Sequence, residues 1–398
     1  MTNHDAHDDD FAAPHAGQRC RVRVGSADGL LAVVPFLLGF HPCDSLVVLG
    51  IGGPHARVRV AFRYDLPDPP EDEIASDIAE HAASVLDRQD LTTAVAIGYG
   101  PGRMVTPVVD KLLPVLRDAG IKVHDALRVQ DGRYWSYVCG DPGCCPPDGV
   151  AFDASEHPAA AALAAAGLPA RRDRAELASV LEPAADPPDS MDQAMRRAQD
   201  RLAALVAGAL RDGGGDPFQP VADAGRRSVR LAVAACRAGA ELSDDDVAWL
   251  GVTMTDLRVR DDAWARMDPE FTEAHQRMWT DLVRRLPADL AAAPAALLAF
   301  TAWQAGDGAL ASIAIERALA ADPGYSMALL IADALYAGLP PSAARLPMTP
   351  KQVAASYARG RTAASAQGPM PAKGAGRTRA AAGRKKRRRQ PAKRRSTR

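Results

Sequence analysis

Hydrophobic positions change their spacing part-way along the chain. Up to residue 155, short runs of alternating or continuous apolar residues, typical of strands, are separated by patterns with helical spacing. Beyond that point only helical spacing remains. The strand patterns are Cys20–Val24, Ser45–Ile51, Arg57–Tyr64, Thr92–Ile97, Ile121–Val129 and Arg133–Val138. Because strands and helices alternate, residues 18–155 are predicted to form an α/β domain with a mixed sheet.

Residues 156–341 are predicted to form an all-α helical bundle. Within 297–338, the run Ala318–Pro323 (ALAADP) resembles the second helix of a tetratricopeptide repeat. A solenoid needs about three such units to bury its faces and we find one, so this weakly tetratricopeptide-like character does not displace the bundle. The helix-like segments are Ala159–Ala166, Asp173–Leu181, Met191–Leu210, Arg226–Ala238, Asp244–Leu257, Pro269–Leu286 and Ala291–Ala305.

Both ends of the chain are predicted to be disordered. Residues 1–17 are acidic and contain histidine, without the apolar core of a secretory signal. Residues 342–398 form a linker rich in alanine and glycine, followed by a polybasic tail. The longest apolar stretches, Leu30–Leu38 and Leu290–Trp303, are too short to span a bilayer. With six cysteines and no extracellular address, these features predict a soluble cytoplasmic protein.

The formal net charge of −1 conceals an uneven distribution. Residues 1–333 carry 31 basic and 49 acidic residues, whereas residues 334–398 carry 17 basic residues and no acidic one. A flexible polycation neutralises phosphates and releases counterions, which predicts non-specific binding to DNA or RNA and association with the nucleoid. Docking onto an acidic protein surface and attraction to an anionic membrane are the alternatives. The densest cations are Arg384, Lys385, Lys386, Arg387, Arg388, Arg389, Lys393, Arg394 and Arg395.

The segment Arg133–Gly149 (RYWSYVCGDPGCCPPDG) concentrates candidate chemistry, because it contains three aromatics and Cys139, Cys144 and Cys145. Clustered thiolates are zinc ligands, although four residues separate the first two cysteines and no CxxC pair occurs. The favoured interpretation is structural, with buried thiols and aromatics that stabilise a proline-containing loop. The third interpretation is a nucleophilic or redox thiol at Cys144 or Cys145. Such a thiol requires partial exposure and a lowered pKa.

A second group of candidate residues is His41-Pro42-Cys43-Asp44-Ser45, between an apolar helix and a strand. These residue types serve nucleophilic catalysis, which makes His41 a weak catalytic candidate beside the cysteines. Closeness in sequence is not support for a triad, because triads are assembled in space from separate segments. Asp44 or Ser45 can equally satisfy loop amides. His41 and His124 could complete a zinc site only through tertiary folding.

The loop Gly98–Arg103 follows a strand and precedes a helix, which is the geometry that presents amides to a phosphate. Gly100, Gly102 and Arg103 are therefore candidate ligand-binding residues. The loop satisfies neither G-x-G-x-x-G nor the P-loop pattern, since no GK[ST] follows. Glycines also form ordinary tight turns, which is the alternative.

Several blocks of the sequence resemble the actinobacterial domain-of-unknown-function family 4192. The likeness covers about residues 20–341 and excludes the basic tail. It implies a cytoplasmic protein with an α/β-plus-helical fold, and it supplies no catalytic or binding residue to carry over. The blocks are Leu30–Ile51, Arg57–Pro67, Gly132–Gly149 (GRYWSYVCGDPGCCPPDG), Val259–Met267 (VRDDAWARM) and Ala302–Pro341.

Two classes of function remain open. The first is a non-enzymatic binding or regulatory protein that its basic tail tethers to nucleic acid, with an unidentified small molecule or protein as a further partner. The second is an enzyme, or a metal or redox site with zinc as the cofactor, built on the Cys139–Cys145 loop together with His41 or Arg133. The first is favoured because no motif for a known chemistry is complete.

Overall fold

The computed structural model describes residues 9–12, 21–53, 56–68, 71–168, 170–183, 189–213, 215–343 and 348–366. The chain divides into two compact units, Met1–Ala354 and Ala355–Arg398. The cationic residues 384–395 lie outside the described residues, so their predicted disorder stays a prediction. Among the described helices, none is both long enough and apolar enough to cross a bilayer.

A six-stranded mixed sheet organises the N-terminal half. Its strands, in their order across the sheet, are β4 (Arg57–Asp65), β3 (Ser45–Gly52), β5 (Thr93–Tyr99), β6 (Lys122–Gln130), β7 (Arg133–Ser136) and β8 (Val150–Ala151). The β5–β6 pair is parallel and the other pairs are antiparallel. The predicted α/β architecture with a mixed sheet is therefore confirmed.

Helices cover both faces of this sheet, because successive strand residues point to opposite sides. Val47 and Leu49 of β3 join one core with α1 (Ala27–Leu38) and α4 (Pro158–Ala165). Leu46 and Val48 join the other core with α2 (Asp72–Arg88) and α3 (Gly102–Asp118). The site described below lies at one edge of this sheet, whose two faces are both covered by helices.

Helix α1 ends at Gly39, which has a left-handed φ of 76°. Pro35 lies inside the helix and does not divide it. A proline removes one backbone hydrogen bond, and α1 keeps its helical path because it is buried almost throughout against the sheet.

The C-terminal half is helical, which confirms the second part of the predicted fold. Its buried apolar residues between Leu181 and Ile331 form one core, separate from the two cores of the sheet, and this core includes Trp279, which is 1% exposed. The tetratricopeptide-like character of 297–338 and the domain boundary near residue 155 stay predictions. The helices are α5 (Arg174–Ser179), α6 (Asp189–Arg211), α7 (Gln219–Arg237), α8 (Asp244–Thr253), α9 (Leu257–Trp264), α10 (Thr272–Arg285), α11 (Ala292–Ala305), α12 (Gly308–Ala321) and α13 (Ser326–Tyr336).

Ordered elements also occur in both segments for which composition predicts disorder. Within residues 1–17, β1 (Asp9–Ala12) pairs antiparallel with β2 (Arg21–Val24). Beyond residue 342, α14 covers Pro350–Ala366. Its sequence contains several alanines and one glycine, and alanine has the highest helix propensity, so this part of the predicted linker forms a helix.

Candidate metal centre

The three cysteines lie in a loop, Cys139–Gly149, between β7 and the two-residue strand β8; we call it the thiol loop. Strand β7 pairs with β6 through a tight turn at Asp131 and Gly132, which both have positive φ. This is the geometry that an Asp-Gly turn favours. The hairpin therefore carries the thiol loop at the edge of the sheet.

Trp135 and Arg133 of β7 hold the far side of the thiol loop. The Trp135 Nε1–H donates to the Pro147 carbonyl at 3.0 Å, and the Arg133 guanidinium donates to the Gly149 carbonyl at 2.9 Å. Gly149 has φ +77°, and a Cβ at this position would lie 2.6 Å from Trp135 Cε2. The Arg128 guanidinium also lies over the Trp135 ring, with its central carbon 3.7 Å from the ring centroid. The loop is thus fixed to rigid strands.

A turn at Asp141 brings the cysteines together. Its carbonyl accepts hydrogen bonds from the amides of Cys144 and Cys145 at 3.1 and 2.7 Å, and its carboxylate accepts the Gly143 amide at 2.8 Å. At the start of the loop, Ser136 Oγ accepts the Cys139 amide at 3.1 Å. These bonds fold the loop back so that its first cysteine meets the last two.

Ser136 is itself positioned from the neighbouring strand. Its hydroxyl donates to Asp125 Oδ1 of β6 at 3.0 Å. Burial raises the pKa of Asp125, while the hydrogen bonds from Ser136 and from the Ala126 amide lower it. The start of the thiol loop therefore rests on a half-buried carboxyl group of the sheet.

The Sγ atoms of Cys139, Cys144 and Cys145 all lie within 4.8 Å of one another. Cys144 is exposed and the other two are partly exposed, and all three are free thiols. The structural interpretation expects buried thiols, and the sulfurs are instead accessible at the surface. Trp135 does stabilise the loop, as that interpretation expects, but it does so from behind the thiols. The arrangement can chelate one metal ion or exchange protons among three sulfurs.

The thiols differ in acidity. The backbone amide of Asp141, followed by the Cys145 and Cys144 thiols, donates to the Cys139 sulfur and lowers the pKa of Cys139. The hydrogen bond from Cys145 to Cys139, together with desolvation, raises the pKa of Cys145 to about 12. Cys139 therefore loses its proton before Cys145, because the loop stabilises the Cys139 thiolate.

His41 and His124 do not join the three sulfurs, since the group of mutually close donor atoms among the described residues contains cysteines alone. The His41 backbone amide donates to the Arg171 carbonyl at 2.9 Å. In the described part of the chain, Ser45 Oγ is buried without a hydrogen-bond partner, so no imidazole activates it. Ser45 therefore lacks the nucleophile–base contact of a catalytic triad.

The glycine loop, Gly98–Arg103, leads from β5 into α3. The Gly100 amide donates to the Val129 carbonyl at 2.9 Å, with a φ of +137°. Arg103 forms an ion pair with Asp68, with 3.1 Å between Nε and Oδ1, and this hydrogen bond lowers the pKa of Asp68. The cation expected to meet a phosphate thus already has a carboxylate partner.

One protein-family model matches a region that includes both the thiol loop and the glycine loop. The family model described as domain of unknown function (DUF4192) matches residues 28–342. The chain belongs to the DUF4192 family. The match contains the whole thiol loop and ends before the cationic tail, close to the range expected from the sequence. No curated protein and no solved structure matches the chain.

Within this DUF4192 region, sequence reasoning missed the residues that shape the site: Arg128, Asp125, Ser136 and Asp141. One signal was present for Asp141, because an aspartate followed by Pro-Gly often accepts the amide two residues on. No signal marks Arg128 or Asp125. Their roles depend on the pairing register of β6 and β7, which places them beside the loop.

Proposed function

We propose that this DUF4192 protein is a non-enzymatic binding protein whose thiol loop holds one soft divalent metal ion, with zinc as the first candidate. The observation that carries the proposal is the mutual proximity of the three sulfurs, within 4.8 Å. Zinc binds thiolates at about 2.3 Å with tetrahedral geometry, which sets the sulfurs about 3.8 Å apart. Side-chain rotations that move the sulfurs about 1 Å closer to one another close that difference.

The composition of the site supports a soft metal. Three thiolate ligands favour zinc or cadmium over magnesium or calcium, which prefer oxygen. The backbone that presents the sulfurs is held by strand residues rather than by another loop, so little ordering is needed when the ion binds. A structural thiol loop and a reactive thiol are the competing interpretations, and each predicts a different result below.

The test is a zinc titration of the reduced full-length protein against a chromophoric chelator. We expect one zinc ion per chain, and its loss in the triple variant Cys139→Ser/Cys144→Ser/Cys145→Ser. The matched control is Cys43→Ser/Cys236→Ser, which removes two thiols outside the group. Equal zinc affinity in the triple variant and the control would overturn the proposal. Fast alkylation of Cys144 or Cys145 without zinc binding would support a reactive thiol instead.

We propose a second function for the polybasic tail, on the observation of six consecutive cations at 384–389 in a stretch of 65 residues without an acidic one. Such a tail binds DNA or RNA through phosphates, and its affinity falls steeply with salt. Because residues 1–333 carry an excess of acidic residues, the tail tethers while the body is repelled. A chain held on DNA in this way associates with the nucleoid.

The end of α14 sets the truncation point for this second test. A chain that ends after residue 366 keeps α14, whose Val353 is 4% exposed, and removes only residues 367–398. We expect it to bind duplex DNA at least about 100-fold more weakly than the full-length protein at low salt. A full-length variant with residues 384–389 changed to glutamine should show most of this loss. Undiminished binding by both variants would refute the tether.

A further inference from the structure

We infer that a metal ion held by the thiol loop keeps one coordination position open to solvent and binds an exchangeable small thiol there. This inference rests on the proposed metal site. Structural zinc sites are closed by four protein ligands, whereas sites that bind an exogenous group supply three and leave the fourth position open. The donor count of the thiol loop therefore decides which kind of site it is.

The described protein supplies three donors. Among the described residues, no histidine, aspartate or glutamate brings a donor atom to within 4.8 Å of all three sulfurs. The nearest carboxylate along the chain, Asp141, is engaged with the Gly143 amide at 2.8 Å. The other described cysteines, Cys43 and Cys236, lie outside the group.

The side of the loop away from the sheet is open. Cys144 is exposed, and a Cβ placed on Gly140 would meet no atom within 4 Å. On Gly143 a Cβ would meet only the carboxylate of Asp141, at 3.3 Å. Trp135 and Ser136 lie behind the loop, on the sheet. A metal ion that binds the three sulfurs is thus covered by protein on one side and by solvent on the other.

The chemistry of the three sulfurs selects the fourth ligand. A zinc or cobalt ion that already has three thiolate ligands accepts water at an open position, and a further thiolate matches its softness better than an oxygen ligand. The open side has room for a monodentate molecule, because the glycines flanking the cysteines present no side chains. The exchangeable ligand is therefore a small thiol, and the site can receive metal from such a thiol or pass metal to it.

The test uses cobalt(II) as a spectroscopic substitute for zinc in the full-length protein, reduced with a phosphine that supplies no thiol. We expect a sulfur-to-cobalt charge-transfer band at one cobalt per chain. Added 2-mercaptoethanol should change the d–d spectrum saturably, with one thiol per cobalt. X-ray absorption of the zinc-loaded protein should show three sulfurs and one oxygen, and four sulfurs after thiol addition.

The variants His41→Ala and His124→Ala separate the outcomes. If the site is open, both variants give the spectra of the parent protein. Three sulfurs with one nitrogen, lost in either variant, would overturn the inference and leave the proposed metal site intact. An unchanged cobalt spectrum on thiol addition would do the same. Absence of any charge-transfer band would instead refute the proposed function itself.

Discussion

The glycine loop and the thiol loop both lie at strand ends of the same sheet, and they use their polar groups differently. In the glycine loop, the amide of Gly100 bonds to β6 and Arg103 is paired with Asp68. In the thiol loop, the backbone is fixed by the hairpin while the sulfurs face one another at the surface. The capacity to bind a ligand therefore resides in polar groups that the fold holds in place but leaves accessible at the surface, such as the sulfurs of the thiol loop.

The largest expected effect tests whether the glycine loop is structural. Gly98 is buried, and a Cβ there would lie 2.1 Å from Val105 Cγ1 of α3. We expect Gly98→Ala to lower the free energy of unfolding by about 3 kcal/mol through overpacking, measured by urea denaturation. Zinc affinity should not change. The control Gly208→Ala meets no atom closer than 4.0 Å and should leave stability unchanged or slightly higher.

Adding Val105→Ala to Gly98→Ala makes room for the new methyl group and should recover part of the lost stability. If Gly98→Ala is as stable as the parent protein, the start of the glycine loop is not closely packed against α3. The glycine loop would then regain standing as a candidate site.

A second test concerns a buried polar side chain of the helical region that already has hydrogen-bond partners. His275 is 2% exposed, and its Nε2 accepts hydrogen bonds from the Asp268 amide at 3.4 Å and from Arg237 at 3.5 Å. Burial, followed by the charge of Arg237, lowers the pKa of His275 from 6.5 to about 4. The unfolded chain therefore binds this proton more readily than the folded one. The free energy of unfolding should fall by about 2.5 kcal/mol as the pH falls from about 6.5 to about 4.

Urea denaturation across this pH range measures the effect of His275. The variant His275→Gln cannot take up the proton and should show a weaker pH dependence over the same interval. The exposed His124→Gln serves as the matched control and should retain the dependence of the parent protein. An identical slope in all three proteins would contradict the assignment of this proton uptake to His275.

The third test addresses the support of the thiol loop. In Gly149→Ala, the new Cβ would lie 2.6 Å from Trp135 at a φ of +77°, so the loop must shift relative to the hairpin. We expect zinc affinity to fall about 10-fold, as is usual when the residues that orient metal ligands are disturbed. Gly120→Ala is the control, because its φ is +75° and its Cβ would meet nothing within 4 Å. Equal affinities would show that Trp135 does not position the sulfurs.

The smallest expected effect concerns Arg103. Surface ion pairs contribute little to stability, so Arg103→Ala should leave the free energy of unfolding nearly unchanged. Inorganic phosphate should stabilise neither the parent protein nor the variant in thermal denaturation. Stabilisation of the parent protein alone would identify the glycine loop as an anion site and break the contrast between the two loops.

The sequence predicts the elements of the sheet well because its strands differ clearly from the helices in spacing. The residue types Asp131-Gly132 and Gly39 also indicate a backbone turn and a helix end, and in the structure each of these residues has a left-handed conformation. The continuity of α1 through Pro35 is not visible in the sequence, because burial against the sheet outweighs the local cost of proline. The same limit applies to α14, where alanine-rich composition supports a helix as readily as a linker.

For the candidate site, the sequence identifies the three cysteines but misjudges their exposure. Free cysteine is generally buried, and this tendency favours a structural role. The turn at Asp141 and the Trp135–Pro147 hydrogen bond instead bring the sulfurs together outside the core. These contacts depend on the register of β7 and on the conformation of the loop, which spacing along the chain does not encode.

The two-residue strand β8 has a consequence for self-association. An edge strand with free amides and carbonyls is a template onto which another chain can add a strand, and short edge strands limit this risk. Strand β8 pairs with β7 through two residue pairs and ends the sheet there. The thiol loop connects β7 to this short strand. A chain from which the loop is deleted would therefore present β7 as the edge of the sheet, and it should form intermolecular sheets more readily.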